Sequence, residues 1–354
     1  MIDFFPLFSR NAAESPFGQA LRAIGVPHRI HAAYVDLSYR TLAGYLFRCL
    51  PGMVRVALDN ARLAFYRSSP PPDTVVLNYD IEVFVFALIR FLSGHRATRI
   101  VVNTFILTPR RSLILNAMRR AYYSAVLSFV DLAIVHSRTE VTRYAVLFPS
   151  THFVFVPYGL SVDAASTLIA DSITERAAHI RPVIVTAGRS ARDYPTLFAA
   201  IAGLDVELRV ICDVRAAIPP LPEDGYVVIL DRCYGTGYLR QVAAADIVVV
   251  PLAADDISAG QMVMLQAWAL NRPVIVTDTL TIREYATDGE DAILVSPRDP
   301  AALRAAILRI LGDPACGEAL SAHGARTFLE RHSTDAVLRG VVSAIIERGE
   351  LADA

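Results

Sequence analysis

The chain has 354 residues, 54% of them apolar, a mean hydropathy of +0.40 and a formal net charge of −1. That length predicts two domains. The absence of any uncharged apolar run of eighteen residues argues against a bilayer-crossing helix, and with neither a dense basic patch nor a recognition module, nucleic acid is not an expected partner.

Taken in chain order, short continuous apolar runs alternate with segments of helical period. The first half predicts strands at Ile2–Leu7, His28–Tyr34, Thr74–Asn78, Arg99–Asn103, Leu132–His136 and Phe153–Pro157. Helices are predicted near Pro16–Ile24, Leu42–Tyr66, Ile81–Leu92, Ser112–Phe129 and Arg138–Leu147. A linker is expected between Gly159 and Arg181. The second half predicts strands at Val183–Ala187, Glu207–Cys212, Tyr226–Leu230, Ile247–Pro251, Val274–Thr277 and Ala292–Val295. Its helices are expected near Tyr194–Leu204, Gly237–Ala244, Gly260–Leu270, Ile282–Thr287, Pro300–Leu311 and Cys316–Arg331, with a last one at Thr334–Arg348. Apolar strands spaced by helices imply an α/β fold of two Rossmann-like domains, residues 1–165 and 166–333, each with a parallel sheet covered on both faces.

Charge separates the halves. All basic residues are arginine; residues 1–165 hold 17 against 10 carboxylates (+7), and residues 166–354 hold 17 against 25 (−8). In the basic half, Tyr39–Ser69 and the stretch from Arg110 mix arginines with large apolar residues. Two readings stand: helices packed on a sheet with arginines reaching to water, or surfaces that lie on an anionic bilayer and meet a lipid-linked acceptor. The opening MIDFFPLFSR lacks the basic region and long apolar stretch of a signal peptide, and Cys49, Cys212, Cys233 and Cys316 have no metal or redox spacing. Both point to a reducing, cytoplasmic setting, with contact to the inner face of the membrane as an extension.

Ligands of such folds bind beyond the carboxyl ends of the strands. In the second half that rule nominates Gly188, Arg189, Asp213, the Asp231–Tyr238 loop, Leu252–Gly260 and Asp278. The richest stretch is Asp255–Thr277, DDISAGQMVMLQAWALNRPVIVT. Ser258 with Gln261 fits a capping box, so a helix should start near Ala259, with free N–H groups around Gly260 suited to an anion. Gly260 would let a ligand approach the backbone, and Asn271-Arg272-Pro273 ends the helix. In the first half the rule nominates Ser9, Arg10 and Asn11, then Asn78, Asp80 and Glu82, then Asn103 and Thr104, then His136 and Ser137.

The Asp255–Thr277 segment resembles the nucleotide-sugar motif of GT-B glycosyltransferases, above all the large family 4 (group 1). The frame L-Q-A-W-A-L-N-R-P-V-I-V-T is intact, but Ser258 and Gln266 stand where the family has its two glutamates. Upstream, PVIVTAGRSARDYPTLFAAI from Pro182 places Arg189 on the family's phosphate-binding arginine, with Arg192 the nearest match to its second basic residue. Downstream, Glu284 and Asp299 lie in frame in the run that follows Thr281. The resemblance is good from Pro182 to His332 and holds only in outline before that. The family's Gly-rich first loop is replaced by Phe8-Ser9-Arg10-Asn11, and Asn103-Thr104-Phe105 occupies the region where it commonly has a histidine.

The resemblance implies two Rossmann-like domains facing across a cleft, a last helix (residues 334–354) that crosses back to the first domain, and transfer of a sugar from a nucleotide-sugar to a glycan, lipid-linked or other hydroxyl acceptor in polysaccharide or glycoconjugate synthesis. It assigns donor binding to Gly188, Arg189, Arg192, Ser258, Ala259, Gly260, Gln261 and Gln266, with Tyr234 or Tyr238 on the base. Arg10, Asn11 and Asn103 are candidates for the acceptor. Asp80, Glu82 and His136 are candidates for the catalytic base. No Asp-x-Asp metal motif sits in a fitting place, so no metal and no cofactor is expected. Family 4 members retain configuration, which implies retention here. Two alternatives stay open: a sugar-nucleotide epimerase of the same fold, and a non-catalytic partner that binds a nucleotide or a fellow transferase.

Overall fold

The computed structural model describes residues 1–5, 21–31, 49–107, 112–162, 165–214, 217–222, 225–253 and 258–353. Its backbone contacts divide it into Met1–Pro157 with Val337–Ala354, and Tyr158–Ala336. The division thus falls at Tyr158 and Val337 rather than at residues 166 and 334.

In the first unit, β1 (Ile2–Phe4), β2 (His28–Ile30), β3 (Thr74–Leu77), β4 (Arg99–Val102), β5 (Leu132–Val135) and β6 (Phe153–Phe155) form one parallel sheet in the order β2-β1-β3-β4-β5-β6. Runs such as TVVL and LAIV are buried along their whole length, as strands covered on both faces must be. One face is covered by α1 (Leu50–Arg62), α2 (Asp80–Leu92), α3 (Leu113–Leu127) and α4 (Arg138–Leu147), through Ala61, Phe86, Val126 and Tyr144. The other face meets Leu21 and, from α11 (Thr334–Asp353), Leu338, Val341, Val342 and Ile345.

In the second unit, β7 (Val183–Ala187), β8 (Glu207–Ile211), β9 (Tyr226–Leu230), β10 (Ile247–Val250), β11 (Val274–Thr277) and β12 (Ile293–Val295) pair in parallel as β12-β11-β10-β7-β8-β9. This is the doubly wound Rossmann order, and it reverses direction between β7 and β10. The faces are closed by α5 (Ala165–Ala177), α6 (Tyr194–Ile201), α7 (Gly235–Ala243), α8 (Gln261–Ala269), α9 (Pro300–Gly312) and α10 (Pro314–Thr327). Helix α8 is buried almost all round. Its Trp268 ring is fully buried, donates Nε1–H to Asp291 O at 2.9 Å, and lies so close to Gly324 that a Cβ there would collide with the ring.

All twelve predicted strands form. Two helix expectations are corrected. The expected linker Gly159–Arg181 contains α5, whose buried face includes only Leu168 and Ser172, too thin an apolar stripe to show as helical period. Within the described residues the helix expected at Leu42–Tyr66 runs from Leu50, with a proline in its first turn, into a π-helical turn at Leu63–Arg67. Residues 42–48 lie outside the described residues, as does most of the helix expected at Pro16–Ile24, of which residues 21–24 are helical.

Candidate functional site: the switch point of the second sheet

The reversal between β7 and β10 opens a crevice at their carboxyl ends, and the loops after these strands are stitched together there. Arg192 bridges to Leu252, and Ala253 N–H donates to Ala191 O at 3.0 Å. Gly188 has φ +106, and a Cβ on it would meet the Arg192 guanidinium at 2.6 Å. That guanidinium is folded under the loop: Nε donates to Ala187 O at 2.7 Å and Nη1 to Ser190 O at 2.9 Å. Burial lowers its pKa, offset in part by Tyr194, Tyr238 and Cys212. Arg192 is therefore a brace for the loop. Arg189 faces solvent, 61% exposed, with Nη1 3.3 Å from Asp213 Oδ2. Tyr234 OH reaches the same carboxylate oxygen at 3.4 Å, while the residue is 63% exposed. Tyr238 is different: its OH donates to Gln266 Oε1 at 2.7 Å, and burial raises its pKa. Of the two tyrosines proposed for a base, Tyr234 has the free ring face.

Helix α8 starts at Gln261, two residues past the start near Ala259 that the capping-box spacing predicts. Its N-cap is Gly260, in the left-handed region at φ +86, and Ser258 makes no capping bond. The glycine is required by the interior: a Cβ would lie 2.8 Å from Val250 Cγ1 and 3.2 Å from Leu252 Cδ2. Glycine has no side chain to cap with, so the first-turn N–H groups receive no N-cap bond from the described residues. Beside them Ser258 Oγ and Gln261 Nε2 are buried with no hydrogen-bond partner. An uncapped helix start with two orphaned polar atoms, at the switch point of a doubly wound sheet, is suited to an anion with hydroxyls attached. Ala259 is buried in the wall.

In the first unit the nominated residues converge at the carboxyl ends of β3–β5. Asn78 donates to Phe5 O at 3.0 Å, and Asn103 Nδ2 lies 3.4 Å from Asn78 Oδ1. Asp80 Oδ2 accepts from Tyr122 OH at 2.8 Å, a partner that sequence reasoning missed because 42 residues separate the two. Asp80, Asn78 and Thr104 line a cavity of about 140 Å³. His136 is buried; Nδ1 is 2.9 Å from Val156 O and Nε2 is 3.1 Å from Thr104 Oγ1, and burial lowers its pKa. Glu82 is wholly buried and accepts the N–H groups of Asn78 and Tyr79 on Oε2, capping α2. Its carboxyl is pushed up to about 7, chiefly by burial, yet it faces the core rather than an acceptor. Arg10 and Asn11 lie outside the described residues.

Residues 181–313 match the family of group 1 glycosyl transferases. No curated protein matches the chain by sequence. Solved structures share its fold: sucrose-phosphate synthase from Thermosynechococcus elongatus, 19% identical with TM-score 0.68 over 100% of this chain and 99% of that one; Anabaena HepE in complex with UDP and glucose, 15% identical, TM-score 0.65, over 97% and 98%; and UDP-forming α,α-trehalose-phosphate synthase from Burkholderia xenovorans in complex with glucose-6-phosphate, 15% identical, TM-score 0.59, over 84% and 77%. With its two parallel six-stranded sheets, the chain has the GT-B fold, and residues 181–313 of its second unit are similar to the group 1 glycosyl transferases.

Proposed function

We propose that the protein transfers a sugar from a nucleoside-diphosphate sugar to a hydroxyl acceptor. The observation that carries this reading is the uncapped start of α8, with Ser258 Oγ and Gln261 Nε2 buried and unpartnered beside it. Helix N–H groups and the Arg189 guanidinium would neutralise the leaving diphosphate, so the reaction as proposed runs without a metal. Tyr234 would stack on the base. Gln266, its Oε1 held by Tyr238, keeps an amide NH2 to offer a ribose hydroxyl. On the acceptor side, Asp80 and His136 are the groups proposed to orient or deprotonate the hydroxyl. UDP-sugars are the donor class proposed, because HepE is solved with UDP and UDP-glucose and the trehalose-phosphate synthase is UDP-forming. Retention of configuration is proposed on the family resemblance.

Calorimetric titration with UDP-, GDP- and dTDP-sugars tests the reading. One class should bind, and Arg189→Ala should weaken it by roughly 10–100-fold, the worth of a charge-assisted phosphate contact. Absence of binding by every nucleotide-sugar would sink it. Binding without turnover on any hydroxyl acceptor would favour the non-catalytic partner, a reading that the Ser258 and Gln266 replacements support.

We further propose that the acceptor is presented at an anionic membrane surface, for polysaccharide or glycoconjugate synthesis on the inner face. The two arginine-rich stretches behave differently. Helix α1 buries Met53, Ala57 and Ala61, whereas α3 buries only Val126 and Leu127. Leu113 and Ile114 on α3 are 84% and 74% exposed, and Leu115 and Met118 are also exposed next to Arg119 and Arg120. An apolar face flanked by cations is the form of an interfacial helix. No helix among the described residues is long and apolar enough to cross a membrane. Sedimentation with phosphatidylglycerol vesicles should fall about tenfold for the double variant Ile114→Glu, Met118→Glu. Equal pelleting with pure phosphatidylcholine would reject the charge component.

A further inference from the structure

The second unit has another cavity, at the opposite, amino ends of its strands. It measures about 650 Å³ and is floored by Pro182, Asp246 and Pro273, the residues that lead into β7, β10 and β11. Arg176, His179 and Ile180, at and just beyond the end of α5, form one wall. Ile310 and Leu311 of α9 and the first turn of α10 form the other.

The decisive residue is Arg272, and the end of α8 explains why it lies here. Asn271 takes the left-handed conformation at φ +54; Asn271 N–H donates to Trp268 O and Arg272 N–H to Ala267 O, both at 2.9 Å. This is a Schellman ending, whose last position normally carries an apolar side chain packed back on the helix. Here that position is an arginine, 5% exposed. Its Nε donates to Leu270 O at 3.1 Å and its Nη1 reaches Ala245 O at 3.5 Å, both backbone acceptors. Among the described residues no carboxylate lies within salt-bridge distance, and the side chain borders the cavity. Burial, and then the nearby Arg176 charge, push its pKa down to about 10, so it remains a cation at neutral pH. The Asp246 charge offsets part of that shift, and a guanidinium whose hydrogen bonds go to backbone carbonyls at the wall of a cavity can take a further, anionic partner.

The surrounding charges leave room for such an anion. Asp246 is the one carboxylate on the cavity floor, and it is already engaged: Oδ1 with Arg176 Nε at 3.1 Å and Oδ2 with Val183 N–H at 2.8 Å. His179 Nδ1 is 3.7 Å from Asp246 Oδ2, beyond hydrogen-bond reach, and is buried without a partner. Arg181 is committed elsewhere, to Asp205 at 2.8 Å and to the Tyr226 ring at 3.5 Å. Glu318 stands on the exposed rim. Arg176 and Arg272, with His179 Nδ1 as a further hydrogen-bonding atom, therefore face one engaged aspartate, which leaves positive charge for an anion with several acceptor oxygens. The rest of the lining is apolar, from buried Ile310 to Ile180, which is 93% exposed at the mouth. We propose that this cavity is a second ligand site, taking a phosphate monoester with an apolar substituent between Arg176 and Arg272, on the edge of the sheet away from the donor loops.

The full chain, saturated with UDP to occupy the donor edge, should bind phenyl phosphate saturably in calorimetry and bind inorganic phosphate more weakly, since the latter lacks the apolar contact. Arg176→Gln, at a half-exposed side chain, should weaken phenyl phosphate about tenfold. Arg272→Gln should do the same where it folds, and Arg189→Ala should leave this affinity unchanged. Absence of saturable binding, equal affinity in Arg176→Gln, or loss in Arg189→Ala would each overturn the proposal; the last would place the phosphate at the donor edge. The Arg189→Ala arm keeps the result independent of whether UDP binds. Vesicles of phosphatidic acid in phosphatidylcholine identify the source: pelleting of wild type but not of Arg176→Gln supports a lipid headgroup, and phenyl phosphate binding without that difference supports a soluble phosphate.

Discussion

Gly260→Ala should destabilise the second unit by about 2–4 kcal/mol, combining one left-handed alanine with an overpacked contact. The new Cβ would be built 2.8 Å from Val250 Cγ1, inside the fully buried end of β10. Neither partner can yield cheaply, because Val250 belongs to a strand paired on both sides and Gly260 fixes where α8 begins. Thermal unfolding should show a loss of roughly 5–15 °C. Gly289→Ala is the control: Gly289 is also left-handed, at φ +74, but nothing lies within 4 Å of its Cβ direction, so only backbone strain should appear. Equal losses in the two variants would show that the α8 start is not packed as described. Nucleotide-sugar affinity should fall in Gly260→Ala and not in Gly289→Ala, because displacing the first turn moves the N–H groups away from the anion.

The second large effect is a pH dependence centred on Glu82. Its carboxyl has a pKa of about 7 in the folded protein against 4.5 for the unperturbed group, so the folded state holds the proton more tightly than the unfolded chain. The favourable term is full below the unfolded value and is lost as pH rises through about 7. Over that window wild type should lose on the order of 3 kcal/mol relative to Glu82→Gln, which cannot ionise. A Gln side-chain oxygen can still accept the Asn78 and Tyr79 N–H groups, while its NH2 takes the place of Oε1, which has no partner. That substitution has its own cost, but one independent of pH. Urea denaturation of both proteins between pH 4.5 and 8 gives the comparison, and parallel stability curves would refute the assignment.

Much of the fold could be read from local pattern. Runs such as IVVV and VIVT are strands under almost any reading because only a doubly covered sheet can bury them entirely. Arg189 after a strand and glycine was legible for the same reason: the strand-end rule depends on topology, not on side-chain detail. Capping was less legible. Ser258 and Gln261 have the spacing of a capping box, yet the helix starts two residues on, because Val250 and Leu252 accept only a glycine at position 260. Arg192 and Arg189 look equivalent in sequence; one folds under Gly188 and the other faces solvent. Glu82 and Asp80 are two residues apart on α2, and the helical turn sends one into the core and leaves the other beside Tyr122.

The sequence by itself determined the twelve strands and the two parallel sheets, since these follow from apolar periodicity, and it nominated one edge of the second sheet for an anion from the glycine and arginine next to strand ends. Only the tertiary structure decided which of the nominated polar groups remain open to a ligand. It showed Tyr234 exposed and Tyr238 engaged, Ser258 Oγ orphaned rather than capping, α3 uncovered where α1 is packed, and Arg272 turned by a Schellman ending into a cavity formed by residues nearly 150 positions apart. The physical reason is that a hydrogen-bonding group becomes available only when everything that could satisfy it has been placed elsewhere, and that depends on contacts between segments distant in the chain.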